Sequence, residues 1–108
     1  MGTVDKAKQK RLEAAGWKVG DAADFLELTA DEAEMVEVKL ALGDYMRDLR
    51  RRRRLTQAQV AERIGSSQSR VAKMEAADAS VSLDLVVKSL FSLGASMCDV
   101  GRVIAGPA

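Results

Sequence analysis

The chain has 108 residues, 47% hydrophobic but only 4% aromatic, and a net charge of +1. With no histidine and a single cysteine, Cys98, it excludes His-based triads, imidazole bases, His or Cys-rich metal sites and an intrachain disulfide. No apolar run approaches the roughly 20 residues of a membrane span, no secretory hydrophobic region opens the chain, and a reducing cytoplasm is the expected compartment.

An aliphatic, charged composition with one proline favours helices packed as one compact domain. The acids sit on strongly charged faces, so neither a catalytic residue nor a cofactor nor a metal is expected. The net charge hides a segregation. From Asp21 to Glu37 there are seven acids and no Lys or Arg, and from Arg47 to Arg54 there are six Arg against one Asp. The field at a docking face matters for nucleic-acid binding, and an average near zero does not argue against it.

In chain order, residues 1–28 read as an N-terminal extension. A short helix over Lys6–Ala15 ended by Gly16, a packing anchor at Trp17 and a helical turn docking through Phe25, Leu26 and Leu28 are expected there. Residues 29–94 read as the main domain. Thr29 and Glu32 form a capping box, and Val38, Leu42, Tyr45 and Leu49 recur at i, i+4, i+7 and i+11 on one helical stripe. A helix to about Arg53 follows, roughly 36 Å long. Gly43 weakens it without breaking it.

Thr56 and Gln59 form a second capping box, opening a helix that ends near Ile64 with Gly65 as the stop. Ser67 caps the next helix, to about Ala76. Ser82 caps another, with Leu83, Val86, Val87, Leu90 and Leu93 as its apolar face and Gly94 as its end. Residues 95–108 form a tail. Met97, Cys98, Val100, Val103 and Ile104 show no helical spacing there, and a short strand is expected, paired with its copy in a second subunit.

Two short amphipathic helices around a Gly-Ser-Ser break make a helix-turn-helix, whose second helix can enter a major groove. Val60, Ala61, Ile64, Val71 and Met74 face inward. Gln68, Ser69, Ala72 and Lys73 are left on the outer face. Gln pairs bidentately with adenine, Ser and Lys address several base edges, and an Ala methyl meets a thymine methyl. Arg70 at the flank reaches a guanine edge or a phosphate. Gln57 and the free amides at the start of the first helix make an anion site for a phosphate. Thr56, Ser67, Arg51, Arg52 and Arg53 join it as phosphate contacts, so binding should fall with salt.

Thr56-Gln57, Val60-Ala61, the run Ile64-Gly65-Ser66-Ser67-Gln68-Ser69, Val71 and Met74-Glu75 resemble the helix-turn-helix of the phage repressor and Cro-like (XRE) family over residues 45–94. The resemblance implies an all-α, five-helix repressor-like domain. It further implies that Gln57 clamps a phosphate, Gln68 and Ser69 read bases, Arg70 and Lys73 lie at the interface edge, and Glu75 pairs with Arg50. Ala76-Ala77-Asp78 departs from the family, which usually has Gly or Asn at that helix end. The longer layout is similar to small HigA-like antitoxins of the same family.

Double-stranded DNA is thus the expected partner. A homodimer is expected as well, because two helices about 34 Å apart read two half-sites of a palindromic operator. The expected function is sequence-specific transcriptional repression. The alternative is an antitoxin that neutralises a basic RelE/HigB-like toxin through the acidic segment and represses its own operon.

Overall fold

The computed structural model describes residues 29–106. The helices and the Trp17 anchor expected within residues 1–28 lie outside the described residues. Five helices follow in order: α1 Ala30–Arg52, α2 Gln57–Ile64, α3 Gln68–Glu75, α4 Leu83–Ser92 and α5 Met97–Ala105. Among the described residues there is no strand, and no helix is long and apolar enough to cross a membrane.

Each helix begins on a hydroxyl residue whose side-chain oxygen accepts the amide three residues on: Thr29, Thr56, Ser67, Ser82 and Ser96. These caps satisfy one of the donors that a helix start leaves unpaired. At Thr29 and Thr56 the reciprocal bonds form too, from Thr29 N to Glu32 Oε1 at 2.9 Å and from Thr56 N to Gln59 Oε1 at 2.8 Å. Both expected capping boxes are therefore present.

One core joins all five helices. Leu42, Met46 and Leu49 of α1 meet Val60 and Ala61 of α2, Val71 and Met74 of α3, and Val86 and Leu90 of α4. Leu93 and Ala95 close the α4 end, and Val100 of α5 completes it. Ile64, Val38 and Tyr45 are only partly buried against this core. Fully burying a Leu, Val or Met side chain stabilises by about 1.5–3 kcal/mol. These contacts, more than the intrinsic propensity of eight-residue helices, hold α2 and α3 in place.

Gly43 has a positive reason to be glycine. A Cβ there would lie 2.8 Å from the Met74 carbonyl oxygen and 2.9 Å from that of Glu75. The middle of α1 therefore crosses the C-terminal end of α3 backbone to backbone, and only a hydrogen fits the gap.

Four helices end in the same way. A left-handed residue closes the last turn, its amide bonds back to the third residue before it, and the next amide bonds one residue further back. At α2 and α4 the left-handed residue is Gly65 (φ 69°) or Gly94 (φ 96°). At α1 it is Arg54 (φ 58°), with Arg54 N to Arg51 O and Leu55 N to Arg50 O both at 3.0 Å. At α3 it is Ala77 (φ 57°), with Asp78 N to Lys73 O at 2.9 Å. The departure at Ala76-Ala77-Asp78 thus leaves the helix end intact, at the cost of a left-handed alanine.

The C-terminal strand is corrected to a helix. Ser96 and Asp99 form a third capping box, with Ser96 N to Asp99 Oδ2 at 2.9 Å and Asp99 N to Ser96 Oγ at 3.0 Å. Val100 and Val103 then turn inward, and Met97 and Ile104 remain on the outside, Met97 at 81% exposure. Met97, Val100, Val103 and Ile104 recur at i, i+3, i+6 and i+7, a helical stripe after all, with Met97 and Ile104 at its exposed edge. With no strand, the expected strand-to-strand pairing between subunits has no basis in this segment.

Candidate nucleic-acid interface

The second helix of the helix-turn-helix pair is α3. Val71, Met74 and Glu75 are its buried residues, which leaves Gln68, Ser69, Arg70 and Lys73 exposed on the outer side, with Ala72 partly buried beside them. The inward set follows from spacing, since residues three and four apart share a face. Its C-terminal half is tied down from three sides. The Met74 Sδ accepts from Ser89 Oγ of α4 at 3.5 Å, α1 crosses at Gly43, and the Glu75 side chain is held by α1 and α2.

Glu75 is only 1% exposed. Arg50 donates to it twice, Nε to Oε2 at 2.6 Å and Nη2 to Oε1 at 3.0 Å, the bidentate geometry that makes guanidinium–carboxylate bonds strong. The expected pair is therefore formed. Hydrogen bonding to Glu75 raises the Arg50 pKa above its ordinary value, against the opposing effect of burial. A further Arg50 nitrogen, Nη1, donates to the Leu55 carbonyl at 3.1 Å, fixing the loop that leads into α2.

Two further groups reach the same carboxylate. Gln57 Nε2 donates to Glu75 Oε1 at 3.2 Å. Arg47 Nε lies 3.6 Å from Oε1, and its Nη2 donates to the Glu75 carbonyl at 3.3 Å. Sequence reasoning missed Arg47. Its position three residues before Arg50, on the same face of α1, is the signal that would have found it.

Gln57 stands at the first position of α2, where the cap residue Thr56 takes the Gln59 amide at 3.1 Å. The Gln57 and Ala58 amides at this helix start lie beyond the helix's own hydrogen-bond ladder. They point, with the positive end of the helix dipole, where an anion is favoured. Ser67 plays the same capping part for α3, accepting the Arg70 amide at 3.1 Å.

The arginine run is split by the helix it sits on. Arg47 and Arg50 turn toward α3. The Arg52 guanidinium lies over the Tyr45 ring, 5.9 Å from its centroid, and Arg53 lies against Gly94, where a Cβ would be 2.8 Å from its Nη2. Arg51 and Arg54 are exposed. The structure thus does not gather Arg51, Arg52 and Arg53 on one face.

An open groove of about 540 Å³ runs beside α3, lined by Ser67, Ser69, Arg70, Lys73, Ser80, Val81, Ser82 and Leu85. Two cations and four hydroxyls line it, two of those hydroxyls being the caps of α3 and α4, Ser67 and Ser82, and no carboxylate does. The α3–α4 connection is shaped by Asp78, whose Oδ1 accepts from Ser80 Oγ at 2.6 Å and Ser80 N at 2.9 Å. Those bonds, the side-chain one foremost, hold the Asp78 carboxyl below its usual range. Ser80 was missed in the sequence, and Ser82 was read there only as a helix cap, because only the fold brings them beside Arg70.

No curated protein and no solved structure matches the chain. A family model described as a helix-turn-helix domain matches residues 41–99, which takes in the crossing at Gly43, the two central helices and the start of α5. With more than half of its length inside that match, the chain belongs to the helix-turn-helix domain family of XRE-like DNA-binding domains.

Proposed function

We propose that the chain is a sequence-specific transcriptional repressor that binds a palindromic operator as a homodimer and catalyses no reaction. One observation carries this reading: α3 leaves Gln68, Ser69, Arg70 and Lys73 exposed while its other face is locked into the core. Gln68 and Ser69 read base edges, Ala72 meets a thymine methyl, and Arg70 and Lys73 take a guanine edge or a flanking phosphate. Gln57 and the α2 amides, with Thr56 and Ser67, grip the backbone. At the end of α1, whichever of Arg51, Arg52 and Arg53 faces the duplex adds a phosphate contact, since the three do not share a face, and Ser80 and Ser82 extend the grip along the groove.

A lone eight-residue helix buries too little surface for tight specific binding, so two copies are needed. The outer face of α5, with Met97 and Ile104 exposed around Gly101, supports a second copy as its cover. The test is selection of bound duplexes from a random DNA library. Two inverted half-sites one helical turn apart are expected, and recovery of no common sequence would overturn the proposal. Sedimentation of a Met97→Glu, Ile104→Glu variant addresses the dimer separately: a monomer is expected, and an intact dimer would remove α5 from the interface.

A second reading is favoured by the first half of α1, where Asp31, Glu32, Glu34 and Glu37 are exposed on a stretch that the reading unit does not use. That surface suits a basic toxin protein, with repression of the shared operon as a second task. Stable co-purification with a small basic protein encoded beside it is the expected result. A chain that binds its operator and captures no such protein would discard the antitoxin reading.

A further inference from the structure

The geometry points to Glu75 as a positioning residue for phosphate binding, orienting the Gln57 amide at the start of α2 through a direct hydrogen bond. This inference rests on the reading of Gln57 as a phosphate ligand. Arg50 alone completes the ion pair, meeting both carboxylate oxygens at 2.6 and 3.0 Å. Charge balance for the buried carboxylate requires nothing more, yet Gln57 Nε2 at 3.2 Å and Arg47 Nε at 3.6 Å converge on the same oxygen, Oε1.

The chemistry of the two groups fixes the orientation. An ionised carboxylate only accepts, so the amide must present its NH₂ to Glu75 and cannot turn its carbonyl there. One N–H is spent on Oε1. The other, held in the same plane, is the donor a phosphate oxygen needs. Glutamine otherwise has many rotamers to lose on binding, and a side chain already fixed in the free protein avoids most of that loss.

The consequence is a mechanical link. Glu75 ends the reading helix, Gln57 begins the helix that grips the backbone, and Arg50 adds the loop between α1 and α2 through the Leu55 carbonyl at 3.1 Å. The phosphate grip and the reading helix therefore share one anchor. Arg47 is the lateral brace of that anchor, 35% exposed and also 3.9 Å from Asp44.

A double-mutant cycle tests it, using the duplex recovered from the random library and the full chain. Gln57→Met is expected to weaken binding about tenfold in the wild-type background and less than threefold in Glu75→Gln. Equal losses in both backgrounds would overturn the positioning role alone. No loss from Gln57→Met in the wild type would remove Gln57 from the phosphate, and the underlying reading with it. Methylphosphonate substitution, one phosphate at a time, gives a readout that lower stability alone would not move. Glu75→Gln should abolish the penalty at the Gln57 phosphate and leave it at the others, whereas a uniform change at every phosphate would overturn the proposal. Should Glu75→Gln fail to fold, the side-chain amide of Gln57 in free wild-type protein decides by nuclear magnetic resonance. An amide as rigid as the backbone supports the proposal, and a freely averaging one overturns it.

Discussion

The two ends of α3 are built on opposite principles. At its start, Gln68, Ser69 and Arg70 are exposed and touch little beyond the Ser67 cap. At its finish, Met74 and Glu75 are essentially without solvent contact, gripped by α1, α2 and α4 through a thioether, a carboxylate and two backbone carbonyls. The first end is free to vary in chemistry because the second is not free to move. An eight-residue helix has no rigidity of its own to spare, so accuracy of reading is set at the end that does not read.

That contrast makes separable expectations for stability and for binding. The largest effect is at the anchored end. Glu75→Leu leaves the part-buried Arg50 guanidinium without its partner and should cost up to about 3–5 kcal/mol of stability, measured by urea unfolding; a loss under ~1 kcal/mol would show that the anchor is not structural. Gly43→Ala follows. Its methyl must displace the Met74 and Glu75 carbonyls, and a cost of about 1–3 kcal/mol is expected, together with weaker DNA binding as α3 tilts. A stability equal to wild type would mean that the crossing yields.

At the exposed end the same measurements should part company. Gln68→Ala should cost about 1–3 kcal/mol of binding at one base position while stability stays within ~0.5 kcal/mol. Equal loss on every duplex would count against base reading by Gln68. Between the two in character is Arg54→Gly, which relieves a left-handed arginine and should raise stability by about 1 kcal/mol; a loss of stability would show that the side chain packs where it now stands exposed.

The smallest effect is a control on the region far from α3. Hydrogen bonds from Ser96, the backbone one first, hold the Asp99 carboxyl below its ordinary value. A folded-state pKa below the unfolded one adds stability above about pH 4 that is lost as pH falls through the lower value. The gap in urea midpoint between wild type and Asp99→Asn should therefore be wider at pH 6 than at pH 2.5. A constant gap would detach the capping box from the acid response.

The four helices within 29–94 were legible because their signals are local. The hydroxyl caps of all four, the acid or amide three residues on at α1 and α2, and the glycine stops of α2 and α4 are each read within about a turn of chain, and the outer face of α3 follows from which residues must turn inward. The resemblance to the repressor family supplied the Arg50–Glu75 pair. What stayed hidden depends on distance in sequence. Arg47 joins Glu75 across 28 residues, Ser80 and Ser82 join Arg70 only through the groove, and Gly43 reads as a weak spot until the helix it crosses is in place. The α5 error has another origin. Met97, Val100, Val103 and Ile104 lie three and four apart on one stripe, Val100 and Val103 packed and Met97 and Ile104 at its exposed edge, so the helical period was present and was misread.

The crossing at Gly43 also bears on how such a protein changes over time. Contact between main chains does not depend on which side chains surround it, so drift in the core around Leu42 and Met46 leaves the tilt of α3 where it was. On the proposed reading, new target sequences then become accessible by exchanging Gln68, Ser69 or Lys73 alone, without a compensating search through the interior. A single hydrogen atom in the middle of α1 separates the problem of folding from the problem of choosing a site.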